Sequence, residues 1–242
     1  MINKKIPKIL CVIPARKGSK GLKNKNTKKL HNHPLIGWTI MVAKKCKNIS
    51  DIIVSTDSLN IAKISRKYGA KVPFIRPKKF ATDRASTFSV LKHALDHYKS
   101  KEIEYDYLLL LEPTSPLRDF RDINFCLNKI MSKNIDTIVS VSKVKAQHPN
   151  FLFYINKKNR LKPYLKNFTN SSLRRQDVNP LYFLEGSIYI SKISTLLKKR
   201  TFYHDKTQAH IVKSWRSLEI DNLNDFKLAK YYIKKKWIGD KN

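Results

Sequence analysis

The chain has little that would staple it together or seat it in a bilayer. Its 242 residues include three cysteines, Cys11, Cys46 and Cys126. They are odd in number, widely spaced and set among apolar neighbours, so neither a disulfide framework nor a zinc cluster is suggested, and a reducing cytoplasm is the expected setting. No apolar run approaches the roughly 20 residues that a spanning helix needs, so membrane insertion is not expected. The apolar residues 9–13 are interrupted by Pro14 and Arg16 with no small-residue cleavage site after them, and read as a buried first strand rather than a signal peptide. Acidic residues are scarce, with 18 Asp and Glu against 50 Lys and Arg, a formal charge of +32. Such a balance invites a nucleic-acid or anionic-membrane partner. The lysines, however, are scattered from end to end with no basic arm or RNA-binding signature, so they read as a solvated surface and no specific nucleic acid is expected. The field would still attract anionic substrates.

What is present is a soluble, globular composition, 41% hydrophobic and 10% aromatic, of a length that suits one α/β domain over residues 1–242. Apolar runs at 9–13, 52–55, 107–111, 137–141 and 187–190 alternate with helix-like segments at 35–43, 60–68, 86–98, 120–131 and 223–234. This alternation predicts a mostly parallel sheet flanked by helices. Residues 143–180 are richer in Lys, Asn, Pro and aromatics, with 151–155 and a turn at 156–159 reading as a β-hairpin insertion. An insertion of this kind suits packing on a second subunit, so a homodimer is expected.

The densest chemistry lies directly after the first strand, in IPARKGSKGLKNKN at 13–26. Small Gly18, Ser19 and Gly21 alternate with cationic Arg16, Lys17, Lys20, Lys23 and Lys25. Backbone N–H groups that turn inward beside cationic heads make a cradle for a phosphate chain, although a basic loop in solvent would look similar. Neither G-x-x-x-x-G-K-[ST] nor G-x-G-x-x-G occurs. Near the other end, Glu219 and Asp221 straddle Ile220 at a strand's period of two. Two carboxylates on one face suit Mg²⁺ as well as they suit a solvent-facing edge. Of seven histidines, only His93 and His97 have helical i, i+4 spacing, without the Glu of a zinc-protease motif. No serine sits in a G-x-S-x-G elbow.

The loop resembles the A-R-x-x-S-K-G signature of the CMP-sialic acid synthetase (acylneuraminate cytidylyltransferase) family, legionaminic and pseudaminic acid relatives included. Further segments match in order: VSTDS at 54–58, IRPKKFATDRAST at 75–87, LLLLEPTSPLR at 108–118, RRQ at 174–176, GSIYIS at 186–191 and SLEID at 217–221. The resemblance implies a Rossmann-like nucleotidyltransferase fold and an enzyme that transfers CMP from CTP to the anomeric hydroxyl of a nonulosonic, sialic-acid-like sugar of nine carbons, releasing pyrophosphate. It implies Lys25, Arg16 and Asp221 as catalytic groups and Asp221 with Glu219 as ligands of Mg²⁺. Nucleotide contacts fall on Ala15, Arg16, Ser19, Lys20, Gly21, Lys25 and Asn26, and on Arg76, Asp83, Ala85 and Thr87, with Asp83 ordering its loop. The sugar site would draw on Glu112, Ser115, Arg118, Arg175, Gln176 and Tyr189, with Phe202 and Tyr203 walling an N-acyl pocket. Three positions depart from the family: Glu219 for an Asp, Glu112 for a Gln and Glu185 for an Asn. The alternatives are a synthetase for Kdo, the eight-carbon relative whose R-x-x-S-x-R-L-P-x-K loop differs from this one, and a binding module for sugar nucleotides or nucleic acids without catalysis.

Overall fold

The structure, a computed structural model, describes residues 6–18, 21–133, 135–145, 147–165, 174 and 178–239. Ten strands and six α-helices follow one another along these segments. They begin with β1 (Ile9–Pro14), β2 (Lys29–Leu30), β3 (His33–Pro34), α1 (Leu35–Lys44), β4 (Asp51–Ser55) and α2 (Leu59–Lys67). After these come α3 (Thr87–Lys99), β5 (Tyr107–Leu110), α4 (Phe120–Ser132), β6 (Thr137–Lys143), β7 (Phe153–Ile155) and β8 (Leu161–Pro163). The last are β9 (Tyr182–Lys192), α5 (Ile193–Lys199), β10 (Thr207–Ile211) and α6 (Leu223–Gly239).

Six strands form one sheet in the order β10-β6-β9-β5-β1-β4. β1 runs parallel to both β4 and β5, and β10 parallel to β6, while β9 runs antiparallel between β5 and β6. β1 shows why the apolar run becomes a central strand: residues Ile9 to Ile13 are all fully buried, and alternate side chains serve opposite faces. Ile9, Cys11 and Ile13 pack with α1, α2 and α4, whereas Leu10 and Val12 pack with Leu91 and Ala94 of α3 and Leu196 of α5. A third cluster, including Leu30, Leu35 and Leu117, lies under Phe226 and Ala229 of α6. The cysteines are free and buried, and burial pushes the Cys46 and Cys126 thiols up to about 12, so they behave as core residues. His93 and His97 are half-buried and pack against Phe74, at ring distances of 4.6 and 5.0 Å.

Helix starts are fixed locally. The Ser58, Ser86 and Asp119 side chains accept from Ile61, Ser89 and Arg121 N–H groups at the heads of α2, α3 and α4, which satisfies donors that a helix leaves open. β7 and β8 pair as a separate hairpin. Its turn is closed by Asn156, whose Oδ1 accepts from Lys158 and Arg160 N–H groups at 3.0 Å, with Asn159 at φ 56°. Among the described residues no helix is long and apolar enough to cross a membrane.

Candidate active site

The C-terminal ends of β1, β4 and β5 open onto one edge of the sheet, the place where parallel α/β sheets carry ligands. Ala15, buried, donates its N–H to Ser55 O at 2.9 Å, which carries β1's pairing one step past the strand and fixes where the loop leaves. Inside the loop, Asn26 is buried and donates from Nδ2 to Arg16 O at 3.0 Å, tying its two halves together. Asn24, at φ 56°, turns the chain into the short helical turn Lys25–Thr27, and that turn aims Lys25 across the edge.

Lys25 reaches the acid-bearing segment 195 residues further on. Its Nζ donates to Ile220 O at 2.8 Å and lies 3.2 Å from Asp221 Oδ1. The approach depends on Gly21, since a Cβ there would run into the Asp221 carbonyl oxygen. Arg16, Gly21, Lys25, Asn26, Glu112 and Asp221 line one cavity of about 430 Å³. Pro14 and the pair Pro113 and Thr114 complete it. Neither of that pair was singled out in the sequence, yet Thr114 O receives the Ile220 N–H at 2.8 Å and so docks the acid segment against the end of β5. The signal that could have found them is the LLLLEPTSPLR segment, which contains both.

A second cavity, of about 210 Å³, adjoins the first through Glu112, and Thr87, Tyr189, Phe202 and Tyr203 line it. Tyr189 packs on Phe202 and Tyr203 at ring distances of 5.5 and 6.3 Å, making an aromatic wall. Ser86, Phe88 and Arg200 also border this cavity and were not anticipated.

The expected acid pair does not lie on a strand. Residues 217–221 are irregular and follow the helical turn Ser214–Arg216, because buried Ile220 is held by Thr114 while its neighbours part company. Asp221 turns to Lys25. Glu219 turns behind the cavity, where Oε1 accepts from the Gly186 N–H. A Cβ on Gly186 would meet Glu219 Oε1 at 2.7 Å, Glu112 Oε2 at 2.9 Å and Ser115 Oγ at 3.0 Å, so the missing side chain is what lets two carboxylates close in. Burial raises the Glu112 pKa to about 7, with the Glu219 charge adding to it, and burial likewise raises that of Glu219. Two acids crowded in this way leave negative charge that a cation relieves. Among the described residues no three His, Cys, Asp or Glu side chains gather as a ready-made metal cage. The donors available, Asp221 on the cavity wall and Glu219 behind it, are hard oxygens of the number that Mg²⁺ takes when phosphates and waters supply the rest.

Other expected contacts take supporting places. Arg118 is wholly interior: its guanidinium donates to Glu112 O at 2.6 Å, Thr39 Oγ1 and Gly186 O at 3.2 Å each, and Ser187 O. It satisfies carbonyls where β9 meets the site and has no face left for a sugar. Glu185, also buried, is its strongest favourable charge, which accounts for an acid at that departing position. Ser115 is buried beside Gly186. Arg76 is buried and donates to Ser55 and to Phe80 O, fastening the 77–85 loop to the end of β4. Asp83 pairs with Arg16, and Ala85 closes a turn on Thr82 O at 3.3 Å. Ser19, Lys20, Arg175 and Gln176 lie outside the described residues.

A strand-end cavity walled by cations, joined to an aromatic cavity through one carboxylate, defines an α/β enzyme that handles a phosphorylated nucleotide beside a second substrate. The comparisons narrow this class: residues 10–238 match the cytidylyltransferase family model, and the chain belongs to that family of nucleotidyltransferases. It is 35% identical to the CMP-N,N'-diacetyllegionaminic acid synthase of Legionella pneumophila, over 92% of this chain and 94% of that protein. It is 34% identical to the N-acylneuraminate cytidylyltransferase of Streptococcus agalactiae, over 90% of this chain and 52% of that one. The solved structure of CMP:2-keto-3-deoxy-manno-octonic acid synthetase complexed with CTP superposes with a TM-score of 0.68 at 14% identity, covering 95% of this chain and 99% of that one. At that identity the likeness speaks for the fold.

Proposed function

We propose that this chain transfers CMP from CTP to the anomeric hydroxyl of an N-acylated nonulosonic acid in the cytoplasm. The observation that carries the reading is the pair of adjoining cavities: Arg16, Lys25 and Asp221 on one side of Glu112, and Tyr189, Phe202 and Tyr203 on the other. The first has the cations and turned backbone for a triphosphate, and the second has the apolar wall for an acyl group. The names of the relatives, synthases for diacetyllegionaminic acid and N-acylneuraminate, support the same acceptor class.

In the reaction, the sugar's anomeric oxygen attacks the α-phosphorus in line, the α–β phosphoanhydride bond breaks, pyrophosphate leaves and the hydroxyl proton is released. Lys25 and Arg16 neutralise the departing charge, and the Glu112 junction brings the two reactants into line. Asp221, on the cavity wall, would hold Mg²⁺, with Glu219 joining it on leaving the Gly186 N–H, and the ion would supply charge neutralisation at the phosphates. Two copies would pair through the hairpin insertion, whose Phe153, Tyr154, Ile155 and Leu161 are exposed.

The test is pyrophosphate release by the purified protein with CTP, Mg²⁺ and a panel of acidic sugars. Release that depends on an N-acylated nine-carbon acid is expected. Preference for the eight-carbon acid, or no sugar-dependent release, would overturn the proposal.

A further inference from the structure

Arg200 is a cation in the smaller cavity that the reaction as outlined does not use. It ends α5 in the left-handed region, at φ 58° and ψ 20°. A Cβ disfavours this conformation, and glycine is the usual occupant. The side chain folds back over Phe88, its guanidinium carbon 5.4 Å from the ring centroid, and borders the cavity with Thr87, Glu112, Tyr189 and Phe202. Among the described residues no carboxylate forms an ion pair with it, while its chain neighbour Lys199 pairs with Asp205. It also edges a larger hollow of about 1000 Å³ behind the sheet. The hollow's other charged lining groups are Lys92, which pairs with Asp96, together with Lys99, Glu104, Lys192, which pairs with Asp136, and Asp106, whose Oδ2 accepts from the Lys8 N–H.

The chemistry of the cavity limits what Arg200 can meet. Glu112 lines the same space, so an anionic substituent would face a carboxylate at close range. A neutral group that offers an acceptor to Arg200, a donor to Glu112 and a methyl to Tyr189 and Phe202 suits all three walls. An acylamino group has these features: a carbonyl oxygen, an N–H and an alkyl end. The cation–π contact with Phe88 restrains the guanidinium, so less freedom is lost when it donates.

We infer that Arg200 is a specificity-determining residue that donates to the carbonyl oxygen of the acceptor sugar's acylamino group. The inference rests on the proposed function above, because it takes the smaller cavity as the sugar's. It adds the residue that caps α5 to the wall of that cavity.

The test compares wild type, Arg200→Gly and Arg200→Lys on two acceptors, a nonulosonic acid bearing an acetamido group and its analogue with a hydroxyl at the same carbon. Arg200→Gly removes the guanidinium and relieves the left-handed backbone, so its thermal stability should equal or exceed wild type and misfolding is set aside. With that variant, KM for the acetamido sugar should rise about tenfold, while KM for CTP and KM for the hydroxyl analogue stay within about twofold. Arg200→Lys, which keeps charge but not the planar fork, should fall between. Equal losses on both sugars, or none on either, would overturn the role of Arg200 with the proposed function intact. No sugar-dependent turnover by wild type would sink both.

Discussion

At Glu112, burial first and the neighbouring Glu219 second raise the carboxyl pKa from 4.5 to about 7. The native protein therefore binds a proton there that the unfolded chain has released. The stability this provides is complete below about pH 4.5 and is lost as pH rises through about 7, on the order of 3 kcal/mol. Melting temperature in the absence of nucleotide should fall between about pH 5 and about pH 8. Glu112→Gln should flatten that fall, leaving the smaller slope due to Glu219, and parallel melting curves for the two proteins across pH would refute the assignment. Asp221 presents the opposite case. Its side chain is 74% exposed and its partner is Lys25, so Asp221→Ala removes a surface pair worth less than about 1 kcal/mol. Melting should hardly move, while turnover drops by about a hundredfold or more. Retained activity with normal melting would remove Asp221 from the chemistry.

The contact between the phosphate loop and the 217–221 segment is held open by an absent atom. Gly21→Ala puts a Cβ against the Asp221 carbonyl, and backbone cannot swing aside as a side chain can, so the loop must lift. A cost of about 1–3 kcal/mol in stability is expected together with a raised KM for CTP as Lys25 parts from Asp221. Gly18→Ala, with nothing within 4 Å of the added atom, should leave melting unchanged, and equal effects from the two would discredit the packing argument. The same elements show what the sequence makes legible. β1 and β5 were plain because strands buried on both faces read as unbroken apolar runs. The basic loop was plain because its chemistry is contiguous. β10 was not, since TQAHI lines a sheet edge with only partial burial, and neither was the first half of β9, whose Tyr182, Phe183 and Leu184 are exposed. Glu219 and Asp221 looked like neighbours on a face because spacing cannot reveal that Gly186 draws one away and Lys25 the other. Arg118 read as a ligand contact because charge suggests a surface, whereas backbone carbonyls can hold a guanidinium inside. Arg200 escaped notice because its partners come from α3, β5 and β9.

Over the whole molecule, a charge of +32 sets two responses to salt in opposite directions. It draws CTP toward the strand-end cavity from beyond contact range, and this attraction is screened over about 10 Å at 0.1 M salt. KM for CTP should therefore climb with ionic strength. The same charge repels a second copy of the chain. Against that repulsion stands an apolar surface: Ile155 and Leu161 pair across the hairpin, both 68% exposed, and Leu181 to Leu184 are exposed at the start of β9. A two-stranded ribbon is marginal in water by itself, and large exposed apolar side chains gathered on one are normally covered. A two-fold dimer that buries it gains stability as salt screens the repulsion. Sedimentation should show twice the chain mass, with dissociation favoured at low salt. Ile155→Asp combined with Leu161→Asp should give monomers at every salt concentration without unfolding the six-stranded sheet. A wild type that stays monomeric at high concentration and high salt would mean that this surface serves something other than a second copy.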